Sequence, residues 1–269
     1  MNSTTSQGTA LITGGSSGMG SVYADRLAHR GYDLILAGRD LRRLETAAAK
    51  LRAVGRKVTL IPGDLSNKAD VKAIEQRLLT DSSITLFLNN AGQLVASPLL
   101  GADVDKLEQM VEVNVVAFTR LAVASAKAFA QRGRGTIINI SSAVALAPDM
   151  LNGAYNASKA YALNFTQALQ IELAGKGVQV QVVLPGAVAT EIWARGGNPV
   201  ENLPQQIVMP VEAAVDAALA GLDQGELVTI LSLPDIENWE TFVAARKALR
   251  PNLSLSQPAA RYSTEHKTH

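Results

Sequence analysis

Apolar and polar positions alternate in a regular way along most of the chain. Seven short apolar runs, each too short for a helix, predict strands that are buried on both faces. Longer amphipathic stretches between them predict helices, and Asp40 and Asn67 are the expected N-caps of two of these. The predicted strands are 9–13, 33–37, 57–61, 84–88, 136–140, 178–184 and 227–231. The predicted helices are about 19–30, 41–54, 68–80, 104–131, 154–175 and 211–223.

This alternation of strand and helix predicts the fold class. It is typical of an α/β protein, a single-domain Rossmann-type doubly wound parallel sheet of about seven strands with helices on both faces. We expect one dinucleotide-binding and catalytic domain over 1–250. The polar, aperiodic tail 251–269 predicts a surface arm or a disordered end.

One internal segment breaks the rhythm. Residues 186–210 hold three prolines, Pro199, Pro204 and Pro210, and three glycines, so they predict a long loop. A loop of this length inside a compact domain is usually functional or mobile.

Composition removes several kinds of chemistry. The 269 residues include no cysteine, and two of the three histidines lie in the last four positions. A thiol nucleophile, a disulfide and a thiolate metal site are therefore excluded, and no metal site is expected. With 25 basic and 24 acidic side chains the formal charge is +1, so we expect no nucleic-acid partner.

The first residues show no recognisable targeting signal. They lack the basic region and apolar run of a signal peptide. No run approaches the about 18 apolar residues of a membrane helix. We therefore expect a cytoplasmic protein with no membrane partner.

The first predicted strand runs into a glycine-rich turn and then a helix. Glycines at such a turn let the backbone approach a pyrophosphate, which meets the helix N-terminus. The alternatives are an ordinary glycine-rich turn or, since Gly14-x-Ser16-x-Gly18 fits the pattern, the nucleophile elbow of a serine hydrolase. An elbow after the first strand has no earlier strands to carry an oxyanion loop. The expected phosphate-binding residues are Gly14, Ser16, Ser17, Gly18, Met19 and Gly20.

The end of the second strand bears on which dinucleotide is bound. A carboxylate that binds the adenosine ribose usually stands there, but here Gly38 and Arg39 follow the strand. A guanidinium suits a 2′-phosphate, so NADP(H) is favoured and NAD(H) is the alternative. Arg39 can also be read as a solvated loop charge.

Polar side chains that suit proton transfer follow later strands. Tyr155 and Lys159 stand four residues apart at the start of a predicted helix, so they share one face. A nearby ammonium can lower a tyrosine pKa by about 1–3 units, which makes a proton shuttle at neutral pH. Ser142 follows the strand 136–140 and can hydrogen-bond a carbonyl oxygen. Asn114 interrupts an apolar stretch and needs a partner or a water.

Taken in order, these residues resemble the short-chain dehydrogenase/reductase (SDR) family across about residues 8–235. The resemblance rests on the turn 13–20, the pair 64–65, the segment 89–92, Asn114, Ser142, Tyr155, Lys159 and the pair 185–186. Ser142 precedes Tyr155 by thirteen residues, as is usual in the family. The chain departs from many NADP-preferring relatives in one respect, because its turn offers Ser17 where they carry a basic residue.

The resemblance implies a role for each matched residue. Tyr155 looks like the general acid or base, and Lys159 like its pKa tuner and a ligand of the nicotinamide ribose. Ser142 looks like the group that orients the substrate oxygen, and Asn114 like the anchor of a water in a proton relay. The implied cofactor contacts beyond the glycine turn are Arg39, Asp64, Leu65, Asn89, Ala91, Tyr155, Lys159, Pro185, Gly186, Val188 and Thr190.

The leading hypothesis is an NADP(H)-dependent oxidoreductase that acts on a neutral or lipophilic carbonyl or alcohol, assembled as a homotetramer, with a dimer next. The expected substrate is a small molecule, and it is neutral or lipophilic because the expected pocket is mostly apolar and has no obvious cationic clamp for a carboxylate or phosphate. The expected pocket residues are Leu94, Val144, Leu146, Met150, Leu151, Ile192 and Trp193. The alternatives are a non-catalytic dinucleotide sensor or scaffold on the same fold and a serine hydrolase.

Overall fold

A seven-stranded parallel sheet forms the centre of the protein, which a computed structural model describes over residues 7–262. The strands are β1 (Thr9–Thr13), β2 (Asp33–Gly38), β3 (Val58–Pro62), β4 (Ile84–Asn89), β5 (Gly135–Ile140), β6 (Val178–Leu184), β7 (Ala187–Val188), β8 (Val208–Met209) and β9 (Val228–Ile230). The helices are α1 (Gly18–His29), α2 (Leu41–Ala53), α3 (Lys68–Thr80), α4 (Val104–Val111), α5 (Phe118–Arg132), α6 (Gly153–Glu172), α7 (Ile192–Arg195), α8 (Val211–Asp223) and α9 (Ile236–Ala248).

The order of strands in the sheet determines where a ligand can bind. The order is β3-β2-β1-β4-β5-β6-β9, and β7 pairs with β8 in a separate two-stranded sheet. The strands β1 to β3 are therefore added toward one edge of the sheet, and the chain then returns to the other side of β1, where β4 pairs with β1 in parallel. A crevice at the carboxyl ends of the strands forms at such a switch point. The predicted fold class is confirmed.

Two apolar layers cover the two faces of the sheet. Side chains of a strand alternate between faces, so Ala10 and Ile12 join one cluster while Leu11 joins the other. The first cluster includes residues of α1 and α8, and the second includes residues of α3, α5 and α6. Both layers pack against the same strands. This packing holds the carboxyl ends of the strands in a fixed arrangement.

Most element bounds agree with the sequence pattern, and the two predicted N-caps are confirmed. The Asp40 carboxylate accepts from the backbone N–H of Arg43 at 3.1 Å, and the Asn67 side chain accepts from that of Ala69 at 2.8 Å. The prediction that every strand is buried on both faces was wrong for β3. This strand is at the edge of the sheet and its side chains are only half-buried or exposed.

Two helical predictions also need correction. The single helix predicted over 104–131 is interrupted by a π-helical segment, Glu112–Ala117, between α4 and α5. The helix α9 was not predicted, because its apolar residues do not form a continuous stripe. The predicted loop 186–210 is not structureless, since it contains β7, α7 and β8 and two turns of 3-10 helix.

The chain divides into two compact units between Leu231 and Ser232. The first contains the sheet. In the second, residues 232–262 include α9, and no side chain there is buried. Residues 251–262 of the predicted tail form two 3-10 turns with exposed side chains, and 263–269 lie outside the described residues.

One stretch within the described residues, Val104–Arg132, is apolar and long enough to cross a membrane by length and composition. The sequence analysis had singled out no such stretch. In its most apolar window 61% of the residues are buried inside the protein, as in a helix of a protein core.

Candidate active site

The turn after β1 brings backbone close to backbone. Gly14 and Gly18 have φ of +69° and +52°, in the left-handed region that favours glycine. A Cβ on Gly20 would lie 2.2 Å from the Gly14 carbonyl oxygen, which no side chain tolerates. At its glycines the turn therefore exposes backbone without a Cβ, and it fits a pyrophosphate that must approach the backbone.

The start of α1 leaves hydrogen-bond donors for an anion. Ser17 is the N-cap residue in an extended conformation, and its side chain makes no capping bond. The N–H groups of the first turn are thus not satisfied by the cap, as in helix termini that hold phosphates. Ser16, Ser17 and Met19 are half-buried along this turn, and Met19 packs on the first apolar cluster.

Asn90, which the sequence analysis did not assign, braces the cradle from β4. Its side-chain amide donates to the Thr13 carbonyl oxygen at 2.9 Å. The Thr13 hydroxyl in turn accepts from the backbone N–H groups of Asn90 at 3.0 Å and Ala91 at 3.1 Å. These bonds cross the switch point between β1 and β4. The signal that could have found them is the second asparagine of the pair at the end of the strand.

Asn89 faces the opposite way from the cradle. Its side chain is buried and donates to the carbonyl oxygen of Phe118 at the start of α5, at 3.0 Å. It thereby ties β4 to a helix of the second apolar layer. A role for Asn89 as a cofactor contact stays a prediction.

The other residues assigned to the adenosine side lie at the ends of β2 and β3. Arg39 is exposed, next to the cap residue Asp40. The Asp64 carboxylate is half-buried and accepts from the backbone N–H and the hydroxyl of Ser66, both at 2.9 Å. Leu65 packs against the second apolar cluster.

Tyr155 and Lys159 lie on one face of α6, as their spacing predicted. Asn152 caps this helix, and its side chain accepts from the backbone N–H groups of Ala154 at 2.9 Å and Tyr155 at 3.3 Å. The Lys159 Nζ lies 5.7 Å from the centre of the Tyr155 ring and donates to the Ile140 carbonyl oxygen at 3.2 Å. The end of β5 and the start of α6 therefore hold both groups.

Ser142 completes this group from the loop after β5. The Ser142 hydroxyl lies close enough to the Tyr155 phenol to lower the pKa of that phenol. The Ser142 hydroxyl also donates to the Pro185 carbonyl oxygen at 3.2 Å and accepts from the Val144 N–H at 3.4 Å. The neighbouring Ser141 hydroxyl donates to the carbonyl oxygen of Lys159 at 2.7 Å. Ser141 is thus a structural brace, while Ser142 reaches the tyrosine.

The electrostatics of the pair correct one prediction. A nearby ammonium was expected to lower the pKa of Tyr155. Instead, burial raises the pKa of Tyr155 to about 12, against the smaller opposite effect of the Ser142 hydroxyl. Burial also lowers the pKa of Lys159 to about 8. Tyr155 is therefore a protonated acid at neutral pH, and Lys159 is mostly an ammonium there and loses its charge above about pH 8.

Asn114 lies in the π-helical segment and finds its partners there. Its side-chain oxygen accepts from the Gln93 N–H at 2.8 Å, and its amide donates to the Gln93 carbonyl oxygen at 2.9 Å and the Ser158 hydroxyl at 3.2 Å. A Cβ on Gly92 would lie 3.4 Å from both Asn114 Oδ1 and Lys159 Nζ. Asn114 and Lys159 are therefore separated by a glycine backbone. Its role as a water anchor stays a prediction.

The loop after β6 covers the tyrosine. Ser142 and Ala143 both bond to the carbonyl oxygen of Pro185, Gly186 is exposed, and Thr190 is half-buried. The buried Trp193 donates from Nε1 to the Val188 carbonyl oxygen at 3.0 Å. We call residues 189–207 the lid, since they lie between the paired strands β7 and β8.

An apolar cluster packs around Tyr155. It contains Leu94, Val144 and Trp193, as predicted, together with Met110 of α4, which was not predicted. Leu151 and Ile192 pack against it. Leu146 and Met150 are exposed, with 36% and 62% of their surface accessible, and do not join the cluster.

The hydrolase interpretation finds no support in the described part of the chain. His29, the one histidine there, ends α1, roughly 18 Å from the turn that holds Ser16. Its ring nitrogen contacts the backbone oxygen of Asp25. Within residues 7–262 no group of three or more histidine or acidic side chains could hold a metal ion.

Comparison with known proteins agrees with this geometry. A family model described as short chain dehydrogenase matches residues 8–199. A short-chain dehydrogenase from Sphingobium yanoikuyae, solved in complex with NADPH, is 43% identical; the match covers 95% of this chain and 100% of that one, with a TM-score of 0.92. A bulky-bulky ketone specific alcohol dehydrogenase from Comamonas testosteroni is 39% identical, over 96% of this chain and 99% of that one, with a TM-score of 0.88.

A curated relative agrees over a shorter range. The 17-beta-hydroxysteroid dehydrogenase type 3 of Homo sapiens is 36% identical over 185 residues, which are 67% of this chain. The match spans 59% of the length of the human protein. The resemblance drawn from the motifs is confirmed, and the chain belongs to the short chain dehydrogenase family of oxidoreductases.

Proposed function

We propose that this protein is an NADP(H)-dependent oxidoreductase that interconverts a neutral or lipophilic carbonyl compound and its alcohol. The observation that carries the proposal is that the Ser142 hydroxyl lies beside the Tyr155 phenol, and that Tyr155 packs in an apolar cluster. A carbonyl oxygen that enters between these two hydroxyls meets one donor that orients it and one acid that can protonate it. The bound nicotinamide supplies or accepts the hydride.

Each polar residue of the site has a separate task. Tyr155 gives its proton to the substrate oxygen in reduction and takes it back in oxidation. Lys159, held by the Ile140 carbonyl oxygen, brings a positive charge close to the phenol and stabilises the phenolate that remains. Asn114 fixes the backbone of Gln93 and the Ser158 hydroxyl, so it holds α6 at the correct distance from the π-helical segment.

The apolar character of the cluster supports the substrate class. Leu94, Met110 and Trp193 pack with Tyr155 in one apolar cluster, and apolar side chains suit a neutral or lipophilic substrate. The similarity to a ketone-specific alcohol dehydrogenase agrees with this choice. A screen in which only carboxylated or phosphorylated carbonyls react would contradict it.

The exposed Arg39 after β2 supports NADP(H), as does the similarity to a protein solved with NADPH. A 2′-phosphate accepts charge-assisted hydrogen bonds from a guanidinium, and these are stronger than the hydrogen bonds that a neutral 2′-hydroxyl can make. The kinetic comparison of NADPH with NADH tests this point. A clear preference for NADH would leave the oxidoreductase proposal intact and remove the cofactor preference.

The main test is Tyr155→Phe. The phenylalanine keeps the ring in the apolar cluster and removes only the acid, so we expect turnover to fall by about 10²–10⁴-fold. NADPH affinity, measured by calorimetry, should stay near that of the wild type. A variant with wild-type turnover would overturn the mechanism.

A non-catalytic sensor or scaffold remains the second candidate function. The complete set of Asn114, Ser142, Tyr155 and Lys159 gives it no specific support. Tight NADPH binding with no turnover on a broad panel of ketones and alcohols would favour it.

We also propose a homotetramer in the cytoplasm. Val111, Val116 and Tyr161 of the long helical stretches are 39%, 40% and 36% exposed, and burial of such side chains stabilises an assembly. Light scattering at micromolar protein concentration tests the oligomeric state, and a monomer would contradict it.

A further inference from the structure

An ion-pair cluster joins the lid to the adenosine side of the site. Glu191, in the lid, accepts from Arg43 Nη2 at 2.6 Å on Oε1 and 2.8 Å on Oε2. Its Oε2 also accepts from Arg195. We call these three residues the clasp. Its net charge is +1, because two guanidinium groups face one carboxylate.

One end of the clasp lies close to the expected 2′-phosphate. Arg43 is in the first turn of α2, and its backbone N–H is held by Asp40, the residue after Arg39. Within residues 7–262 the Arg43 side chain hydrogen-bonds only through Nη2, to Glu191. A guanidinium has five N–H donors, so Nε and Nη1 remain for another anion.

The other end of the clasp lies directly before the helix that covers the tyrosine. Glu191 precedes α7, which carries Trp193 of the apolar cluster. Thr190 passes over the phosphate turn, since its Cγ2 lies 3.2 Å from where a Cβ on Gly18 would be. The segment 190–193 therefore runs from the adenosine side to the catalytic tyrosine.

The ion pairs of the clasp are formed at neutral pH. Hydrogen bonds and charge from Arg43 keep the pKa of Glu191 below its ordinary value, so the carboxylate stays ionised. All three side chains are partly exposed, with 37% to 54% of their surface accessible, so the attraction between them is weakened by salt.

We infer that Glu191 is a positioning residue that couples recognition of the 2′-phosphate to closure of the lid through Arg43. This inference rests on the proposed NADP(H) function. A 2′-phosphate on the free edge of Arg43 holds the guanidinium from the side opposite Glu191. Arg195 offsets the charge of the carboxylate, so phosphate and Glu191 share Arg43 without a net repulsion. NAD(H), which has no 2′-phosphate, leaves the clasp as it is.

The coupling has two consequences that are reciprocal. If the phosphate stabilises the clasp, the clasp must favour the phosphate by the same factor. NADP⁺ should therefore hold the lid over Trp193 better than NAD⁺ does. Loss of Glu191 should also reduce the preference for NADP⁺ over NAD⁺.

The experiment uses the full chain with Trp239→Phe, which leaves Trp193 as its one tryptophan. Acrylamide quenching of Trp193 emission is measured with saturating NADP⁺ and with saturating NAD⁺, neither of which absorbs the emission. We expect NADP⁺ to protect Trp193 more than NAD⁺. In Glu191→Gln this difference should vanish, and the ratio of the two dissociation constants, from calorimetry, should fall by roughly fivefold.

The matched control is Glu201→Gln, which removes an exposed carboxylate from the same lid and should leave both readouts unchanged. Glu191→Asp, which keeps the charge, should restore part of the difference. Equal protection by NADP⁺ and NAD⁺ in the parent chain would overturn the inference, as would a difference that survives in Glu191→Gln. If the parent chain binds neither cofactor in calorimetry, the proposed function itself fails.

Discussion

The two ends of the site are built by opposite means. The phosphate turn after β1 depends on atoms that are missing, because Gly20 has no Cβ to meet the Gly14 carbonyl oxygen. The proposed catalytic end depends on polar atoms that are present and buried, because Tyr155 and Lys159 are 8% and 6% exposed. One end excludes side chains by steric contact, whereas the other tunes them by removing water.

The two ends of the site therefore respond to different perturbations. A steric cradle is insensitive to pH and salt but fails with one added methyl group. A buried polar cluster is sensitive to charge, because a change of charge alters both its chemistry and its stability. The predictions below separate these two behaviours.

The largest effect is expected from Lys159→Met at the catalytic end. The methionine fills the space of the lysine stem but has no charge to stabilise the phenolate, so turnover should fall by about 10²-fold or more. Folding stability should rise instead. Burial lowers the pKa of Lys159 from 10.5 to about 8, so the buried ammonium destabilises the folded state by about 3 kcal/mol at pH 7. The variant removes this cost, but it also loses the hydrogen bond to the Ile140 carbonyl oxygen, which offsets part of the gain.

The pH dependence gives the sign of this effect. The penalty for a buried ammonium is fully present below pH 8 and disappears as pH rises to the unfolded value of 10.5. In denaturant unfolding without cofactor, the variant should therefore have a higher free energy of unfolding than the wild type at pH 7 and about the same value near pH 10.5. A gap that does not change with pH would mean that packing, and not charge, separates the two proteins.

Gly20→Ala tests the steric end. The added Cβ would force the turn apart, at a cost of about 1–3 kcal/mol in stability, and NADPH affinity should fall with it. Calorimetry and thermal unfolding measure the two losses. Gly101→Ala is the control, since a Cβ there meets nothing within 4 Å and should leave both unchanged. Wild-type NADPH affinity in Gly20→Ala would refute the cradle.

The smallest effect is expected from Asn90→Ala, which removes the bond from β4 to the Thr13 carbonyl oxygen. One such bond contributes about 0.5–1.5 kcal/mol. The loss should appear in both stability and NADPH affinity, with little change in turnover at saturating cofactor. A fall in turnover alone would move Asn90 to the catalytic end of the site.

Local features of the chain were predictable because their causes are local. Glycine at left-handed positions, Asp40 and Asn67 as caps, and the spacing of Tyr155 and Lys159 each act over four residues or fewer. The helix α9 was missed, because its apolar positions do not fall on one face. The π-helical segment was missed as well, and the partners that its Asn114 finds, Gln93 and Ser158, lie 21 and 44 residues away in the chain.

The amino-acid order was enough to establish the α/β fold and the family, and it predicted the glycine turn as the phosphate site and Ser142, Tyr155 and Lys159 as catalytic residues. These follow from periodicity, from backbone freedom and from residue chemistry at short spacing. It could not establish the direction of the pKa of Tyr155, the brace formed by Asn90 or the clasp at Glu191. Those depend on which distant segments exclude water from a side chain or meet it, and Arg43 and Glu191 are brought together from positions 148 residues apart by the fold alone.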